Sequence, residues 1–451
     1  MEQIIKANEV IIRMLGKPKA SGSGYRMIHY SLSYEVEDGV LLFNLLTREL
    51  LLLTSEEYTN ALELPYLRER WFVVPADTDE KKLLSAARFI QNSVDRPSKR
   101  IKSYTILTTM DCNARCFYCY EMGRKRISMS EQTALKTAEF IRDNCGGKPV
   151  RLSWFGGEPL YNYQVIDLIC GKLREWGVAY HSFMISNGYL FDDEMIARAM
   201  GNWNLKQVQI TLDGTEEVYN RCKAFIYREG SAYQVVTGNI GRLLDKGISV
   251  LVRMNLDFHN SENLLKLAEE LAERFGGKPG FSAYSHLIFD EKVAWDQRYP
   301  IEKWNQLYDA RRKLERRMNE LGVGSRTITR INRQFPKFQC MADDSNSIVI
   351  TPDGHLGVCE HFSENQLIGH LDSPERDQEM INSFRERCDE LPECASCFYY
   401  PDCIRLKKCP DLIPCIPAER DTLRRRTQRA MRNEYDIWKS GDEDNPQPED
   451  D

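Results

Sequence analysis

From Tyr104 to His286 the sequence alternates short β-type runs with helical ones, and this alternation restricts the fold more than any other feature. Runs of β-branched, aromatic and other apolar residues lie at Tyr104 to Thr109, Val150 to Phe155, His181 to Ser186, Gln207 to Leu212, Ile248 to Leu256 and Gly280 to His286. Between them, apolar residues at helical spacing mark helices at 130–144, 161–175, 192–200, 232–246 and 261–275. Six such units predict an α/β fold with a parallel sheet and right-handed crossovers. A doubly wound open sheet and a barrel both satisfy the pattern. No G-x-G-x-x-G follows the first run, however, so the phosphate-binding turn of the dinucleotide folds is missing.

The first run ends in Thr-Thr-Met-Asp-Cys-Asn-Ala-Arg-Cys-Phe-Tyr-Cys-Tyr-Glu, in which Cys112, Cys116 and Cys119 form C-x3-C-x2-C. Iron–sulfur clusters are normally held by four thiolates, so a local triplet leaves one iron open to a ligand that is not protein. A zinc knuckle uses similar pairs but needs a fourth ligand. The next candidates, Cys145 and His181, are distant in sequence. The spacing, with an aromatic before the last Cys, resembles the cluster loop of the radical S-adenosylmethionine (SAM) superfamily. That resemblance implies a partial (β/α)6 TIM-like barrel with its ligand groups at the C-terminal ends of the strands. It further implies a four-iron four-sulfur cluster whose open iron takes the SAM amine and carboxylate, and reductive cleavage of SAM to a 5′-deoxyadenosyl radical.

Other motifs fall at the predicted strand ends. Gly156, Gly157, Glu158 and Pro159 match the family's GGEP element, which pairs with the SAM amino group; glycines admit close backbone approach and a carboxylate accepts from an ammonium. Ser186 and Asn187, before Gly188, resemble a ribose-contacting element and equally suit a tight turn. Asp213, in Thr-Leu-Asp-Gly, matches a segment of the peptide-modifying branch and is expected at the barrel mouth, near SAM or substrate. Arg253 and Asn255 match a polar pair placed near the SAM carboxylate and ribose; polar residues inside an apolar strand need partners, and a structural ion pair would serve as well.

A second cysteine array follows near the C-terminus. Cys340-x13-Gly354-x4-Cys359, then Cys394-x2-Cys397-x5-Cys403-x5-Cys409-x5-Cys415, resembles the SPASM extension with its two auxiliary four-iron four-sulfur clusters. The resemblance assigns Cys394, Cys397, Cys403 and Cys415 to the distal cluster, and Cys340, Cys359 and Cys409 to the proximal one. The chain has five residues between Cys403 and Cys409 where the family has three. Cys388 is either a fourth proximal ligand or an extra, the cluster then keeping an open iron. Zinc fits CxxC pairs as well. Glu360 stands where sulfatase maturases of the family carry a basic Asp, and could take the proton released on substrate oxidation; it also reads as an exposed loop acid.

Before the barrel, residues 25–35 alternate like a strand, Asp38-Gly39 signals a hairpin, Val40–Asn44 and Glu49–Leu53 read as strands, and Ser55 opens a short helix. This small winged-helix-like α+β pattern resembles domains that receive the leader of a ribosomally made peptide as an added strand. The expected organisation is a recognition domain at 1–97, the barrel at 98–300, a helical bridge at 301–339, the SPASM domain at 340–418, and a basic helix with an acidic tail at 419–451.

Composition narrows the class. The formal charge is -6, and residues 442–451 hold six acids and no base, so the remainder is near neutral, which excludes a nucleic-acid binder. That tail reads as a solvated, disordered end, and the arginines from Arg420 to Arg432 as a solvated helix face. The apolar stretch Val40–Leu53 is too short and interrupted to span a membrane, and the N-terminus lacks a signal-peptide pattern. Fourteen Cys without that signal point to clusters rather than disulfides. The expectation is a cytoplasmic enzyme carrying three clusters and SAM, fed by an external flavodoxin- or ferredoxin-type donor. It would modify a precursor peptide bound through its leader, with Cys thioether crosslinking as in sactipeptide and ranthipeptide maturases. A formylglycine-forming sulfatase maturase and a non-enzymatic iron–sulfur electron carrier are the alternatives.

Overall fold

The computed structural model describes residues 1–18, 22, 24–94, 100–121, 123–227, 229–288, 300–325, 330–334, 340–361, 366–373, 375–386, 391–403, 405–409 and 415–441. Cys388, the boundary near Arg96-Pro97 and the acidic tail lie outside the described residues.

The chain opens with β1 (Glu2–Ile5), α1 (Glu9–Leu15), β2 (Tyr25–Met27), β3 (Ser31–Val36), β4 (Gly39–Asn44), β5 (Glu49–Leu53), α2 (Ser55–Thr59), α3 (Pro65–Glu69), β6 (Val73–Pro75) and α4 (Glu80–Val94). An antiparallel sheet runs β1-β5-β4-β3, and β2 pairs separately with β6. The stretch 25–35 is therefore two strands, not one. Buried Glu80 accepts from the His29 backbone N–H at 3.1 and 3.2 Å, turning the chain between β2 and β3. The hairpin turn is Glu37-Asp38, since Val36 faces Gly39. Gly39 has φ 146°, and a Cβ there would stand 2.1 Å from the Leu53 carbonyl oxygen. Thr54 and Glu57 cap α2 reciprocally.

Next come β7 (Ser103–Thr109), α5 (Glu131–Asn144), β8 (Val150–Gly156), α6 (Tyr163–Glu175), β9 (Tyr180–Ser186) and α7 (Asp193–Gly201). They are followed by β10 (Leu205–Leu212), α8 (Glu216–Lys223), α9 (Ala232–Asp245), β11 (Ser249–Leu256), α10 (Ser261–Phe275) and β12 (Phe281–Leu287). These six strands are parallel and lie side by side in sequence order. A doubly wound sheet would reverse its order at a switch point. Monotonic winding is that of a barrel, here left open because β12 does not pair with β7. Its core packs strand residues such as Ile106, Leu152, Trp154, Val208, Ile210, Val250 and Val252 under the helices.

The remainder comprises α11 (Ile301–Glu320), β13 (Ser347–Ile350), β14 (His355–Gly357), β15 (Gly369–His370), α12 (Gln378–Ser383) and α13 (Pro417–Ser440). β13 joins the barrel sheet parallel to β7, and β14 and β15 extend it antiparallel, giving nine strands. The arginine-rich helix is only partly solvated. Arg424, Arg425 and Arg429 are exposed, but Ala430, Met431 and Tyr435 of α13 are buried against the N-terminal sheet. Arg432 and Lys439 pair with Glu37 and Asp38 of the hairpin turn. Arg48, also buried, makes a bidentate pair with Asp402, one contact at 2.9 Å. Among the described residues, no helix is long and apolar enough to cross a membrane.

Candidate active site

The Cys112–Cys119 loop leaves the C-terminal end of β7 and is tied down on several sides. Asp111 bends back to donate to Thr109 Oγ1 at 3.0 Å, and its carboxylate accepts from Cys112 N at 2.8 Å. Gly157 and Glu158 donate through their backbone to Thr109 O and Asp111 O, both at 2.9 Å. Only glycine permits this approach: a Cβ on Gly156 would lie 2.2 Å from Thr109 O, and one on Gly157 2.3 Å from Asp111 O. From the other side, Arg115 N donates to Lys223 O at 2.8 Å and Ile226 N to Asn113 O at 2.9 Å, so the end of α8 clamps the loop.

Glu158 is fully buried and uses both carboxylate oxygens within the chain. It accepts from Leu160 N, from Ser186 Oγ at 2.9 and 3.1 Å, and from Asn187 N at 2.8 Å. Burial pushes its carboxyl up to about 7 in spite of these donors. Pro159 begins a short helical turn, and its carbonyl accepts from Thr108 Oγ1. Ser186-Asn187-Gly188 forms a tight turn, with Gly188 N donating to Ser186 Oγ and Tyr189 N to Asn187 Oδ1, both at 3.0 Å. The Asn187 amide also reaches the cysteine loop, 2.6 Å from Asn113 Oδ1 and 3.7 Å from Cys112 Sγ.

Asp213 is buried at the end of β10 and collects three partners. Tyr118 Oη donates to both of its oxygens (2.8 and 2.9 Å), Asn255 Nδ2 to one at 3.0 Å, and Lys223 Nζ stands 3.2 Å away. Arg253 Nε in turn donates to Asn255 Oδ1 at 2.9 Å. Asp213, Arg253 and Asn255 thus form one network, joined to the cysteine loop through Tyr118. Sequence reasoning missed Tyr118 and Lys223 as members. Tyr118 was visible between Cys116 and Cys119, but nothing in the local pattern around Lys223 pairs it with Asp213.

On the opposite side, the residue after Cys119 meets the second cysteine array. The Tyr120 ring stacks on His361, two residues past Cys359, with centroids 3.9 Å apart. Tyr120 Oη, Glu121 Oε1 and Glu360 Oε2 are buried there without a hydrogen-bond partner among the described residues. Burial pushes the Glu121 carboxyl up to about 7, against the pull of Arg124 and His361.

The thiols fall into three neighbourhoods. Cys112 is pushed up to about 12 by burial and by the negative charge of Glu158, Cys116 and Cys119. Cys359 is likewise raised by burial, with Cys340 and Cys409 adding to it. Cys397 is raised by burial and by Cys415 and Cys394. Cys403 closes the short Tyr400–Asp402 turn beside them. Thiols packed this closely resist ionising together unless cationic iron compensates them, the environment an iron–sulfur cluster supplies. Among the described residues, no three His, Cys, Asp or Glu side chains are close enough to hold a single metal ion. A cluster that gives each thiolate its own iron does not require such convergence. The buried Asn113 Nδ2 beside Cys112 is a further polar atom with no hydrogen-bond partner here. Cys145 and Cys170 are core thiols, and Cys222 is half-buried on α8.

The radical SAM superfamily description matches residues 106–271 of this chain. The GTP 3',8-cyclase of Clostridium perfringens is 24% identical over 324 residues, 66% of this chain and 93% of that protein. A probable GTP 3',8-cyclase of Methanococcus maripaludis is 25% identical over 160 residues, 35% of this chain and 50% of that protein, so the chain spans about half the length of this relative. Native anSMEcpe with bound AdoMet superposes with a TM-score of 0.57 at 12% identity, covering 75% of this chain and 99% of that one. Streptococcus suis SuiB bound to S-adenosylmethionine gives 0.51 at 13% identity, over 87% of this chain and 99% of that one. At these identities the two solved structures show a shared fold.

Proposed function

For this radical SAM enzyme we propose a peptide substrate, a leader-guided precursor in which Cys thioether crosslinks are formed. The observation that carries this reading is the junction at Tyr120 and His361. It sets the Cys112–Cys119 loop directly against the loop of Cys359, with buried unpartnered acceptors at Glu121 and Glu360 between them. Two cysteine groups flanking one cluster of buried polar atoms suit a reaction in which hydrogen is abstracted on one side and an electron leaves on the other. An anSMEcpe structure with the Cp18Cys peptide shows a peptide bound on this fold at a TM-score of 0.55.

Cys112, Cys116 and Cys119 would hold the SAM-binding cluster; Cys340, Cys359 and Cys409, and Cys394, Cys397, Cys403 and Cys415, would hold two auxiliary ones. When bound, cluster and SAM supply radical hydrogen abstraction. The chain's own contributions are positional. Gly156 and Gly157 press the end of β8 onto the cysteine loop, Asn187 and Lys223 fix its two flanks, and Glu360 takes a proton at its unpartnered Oε2. An external flavodoxin- or ferredoxin-type donor and a cytoplasmic setting complete the proposal.

The N-terminal sheet supports leader binding because β3 is an edge strand. Ser33 O points outward, where it accepts from Gln428 Nε2 at 3.2 Å, so alternate backbone groups of β3 face away from β4. A peptide added there would gain main-chain hydrogen bonds in exchange for the Gln428 contact from α13. The test incubates reconstituted enzyme with SAM, a reductant and either a Cys-containing precursor peptide, a sulfatase-type peptide or GTP, read by mass spectrometry. Loss of hydrogen mass at the precursor's Cys is expected. GTP turnover with an unchanged peptide would replace this reading with that of the curated relatives, and formylglycine with that of a sulfatase maturase. Ser33→Pro, which removes an outward N–H, should leave SAM cleavage intact and slow precursor modification.

A further inference from the structure

We propose that Lys223 is a positioning and charge-tuning residue for the C-x3-C-x2-C loop, making the iron–sulfur cluster held there easier to reduce. This rests on the radical SAM reading of the loop. Lys223 is 4% exposed and lies at the end of α8, where its carbonyl accepts from Arg115 N at 2.8 Å within the cysteine run itself. Its ammonium donates to Tyr118 Oη at 2.8 Å and stands 3.2 Å from Asp213. Tyr118 separates Cys116 from Cys119, and the thiolate forms of both interact favourably with the Lys223 charge.

An ammonium buried this deeply needs strong compensation. Asp213 alone would provide it with a simple ion pair. The geometry does more, because Tyr118 bonds the cation and the carboxylate at once and is anchored between two of the three cysteines. The other charged or titratable groups facing this corner include Tyr219, Cys222, Glu158 and the Cys112 thiol, together with Arg253 through Asn255. Arg115 lies in the loop itself and donates to the Cys112 and Ala114 carbonyls, but it is exposed to solvent; Lys223 is the buried cation in contact with the loop. Reduction adds one electron, drawn from an external low-potential donor, and makes the cluster one charge more negative. A fixed positive charge nearby favours that state, and a fixed negative charge disfavours it.

The sign of the effect separates tuning from scaffolding. In Lys223→Met the cation is lost and Asp213 is left uncompensated, so reduction becomes harder. In Asp213→Asn the reverse imbalance makes it easier. Lys223→Arg keeps the charge and should stay near the wild-type value.

The experiment is an anaerobic redox titration of the full-length, reconstituted protein, followed by the electron paramagnetic resonance signal that changes on adding SAM. We expect Lys223→Met to lower the reduction equilibrium of that signal at least tenfold, 59 mV for a one-electron couple. Asp213→Asn should shift it in the opposite direction, and the signals that do not respond to SAM should stay put. Unchanged midpoints in variants that retain their iron would overturn the proposal. If Lys223→Met fails to hold its cluster, Asp213→Asn decides, and a midpoint that is unmoved or more negative overturns it. Absence of any SAM-sensitive signal in the wild type would instead remove the radical SAM reading.

Discussion

The pair between Arg48 and Asp402 ties the N-terminal sheet to the second cysteine array across 354 residues of sequence. Arg48 is 1% exposed and holds a left-handed φ of 64°, while Asp402 immediately precedes Cys403. Replacing Arg48 by Met removes the guanidinium from which both Asp402 carboxylate oxygens accept, and replacing Asp402 by Asn takes the bidentate negative charge away from a buried guanidinium. Each single change should cost about 3–5 kcal/mol, whereas the double variant Arg48→Met with Asp402→Leu should cost much less, since a buried pair exchanged for apolar groups is often near neutral. How this appears in melting depends on the size of the cooperative unit. At about 2.1 cal/mol/K per residue, a loss of ~4 kcal/mol lowers the midpoint by roughly 20 °C if residues 1–94 melt alone. It lowers it by only about 4 °C if the whole 451-residue chain melts together. Calorimetry of wild type, both singles and the double distinguishes the cases. Single variants melting within about 1 °C of wild type would refute the claim that this pair holds the two parts together.

Three further outcomes follow from the site. Glu158 has its carboxyl raised to about 7, so between roughly pH 4.5 and 7 the folded apo-protein binds a proton that the unfolded chain does not. Its contribution is therefore greatest below the unfolded value and declines by about 3 kcal/mol as pH rises through 7; Glu158→Gln should flatten that dependence in denaturant titrations. Gly157→Ala puts a Cβ 2.3 Å from Asp111 O and should lower iron uptake at the cysteine loop, measured as iron per chain. By contrast Gly171→Ala, with open space on α6, should raise stability by ~0.5–1 kcal/mol and leave iron unchanged. Cys116→Ala should abolish SAM cleavage to 5′-deoxyadenosine while the remaining cysteines still take up iron.

What the sequence revealed was mostly what local patterns encode. The six barrel strands are found within a residue or two of their expected bounds, because most carry buried apolar residues at alternate positions, as at Val150, Leu152 and Trp154 or Val208, Ile210 and Leu212. Gly156 and Gly157 were legible as close-approach residues, and the structure puts them against Thr109 and Asp111. What stayed hidden depended on pairings remote in sequence. Helix α8 is polar and short, and it follows Thr-Leu-Asp-Gly without a helical apolar stripe of its own. Lys223 therefore looked like any surface lysine until its helix was placed against the cysteine loop. Strand β13, only four residues long, carries too little pattern to announce that it extends the barrel sheet.

The arginine-rich helix α13 shows why such pairings bear on function. Read alone, its charge density implies a solvated face, and at Arg424, Arg425 and Arg429 the chain is indeed exposed. Yet Met431 and Tyr435 on the same helix complete the core of the N-terminal sheet, and Gln428 occupies a backbone carbonyl of the β3 edge. Deleting residues 1–97 would strip cover from that apolar stripe and also from Phe398, which belongs to the same cluster and lies one residue past Cys397. A truncated enzyme that lost activity would thus be ambiguous between a missing leader dock and a disturbed cysteine array. The edge variant Ser33→Pro avoids this difficulty, because it removes an outward N–H and keeps the sheet that covers Met431, Tyr435 and Phe398; Ser33→Ala, which loses only the hydroxyl that accepts from Tyr58 Oη at 3.0 Å, is its control and should modify the precursor at the wild-type rate.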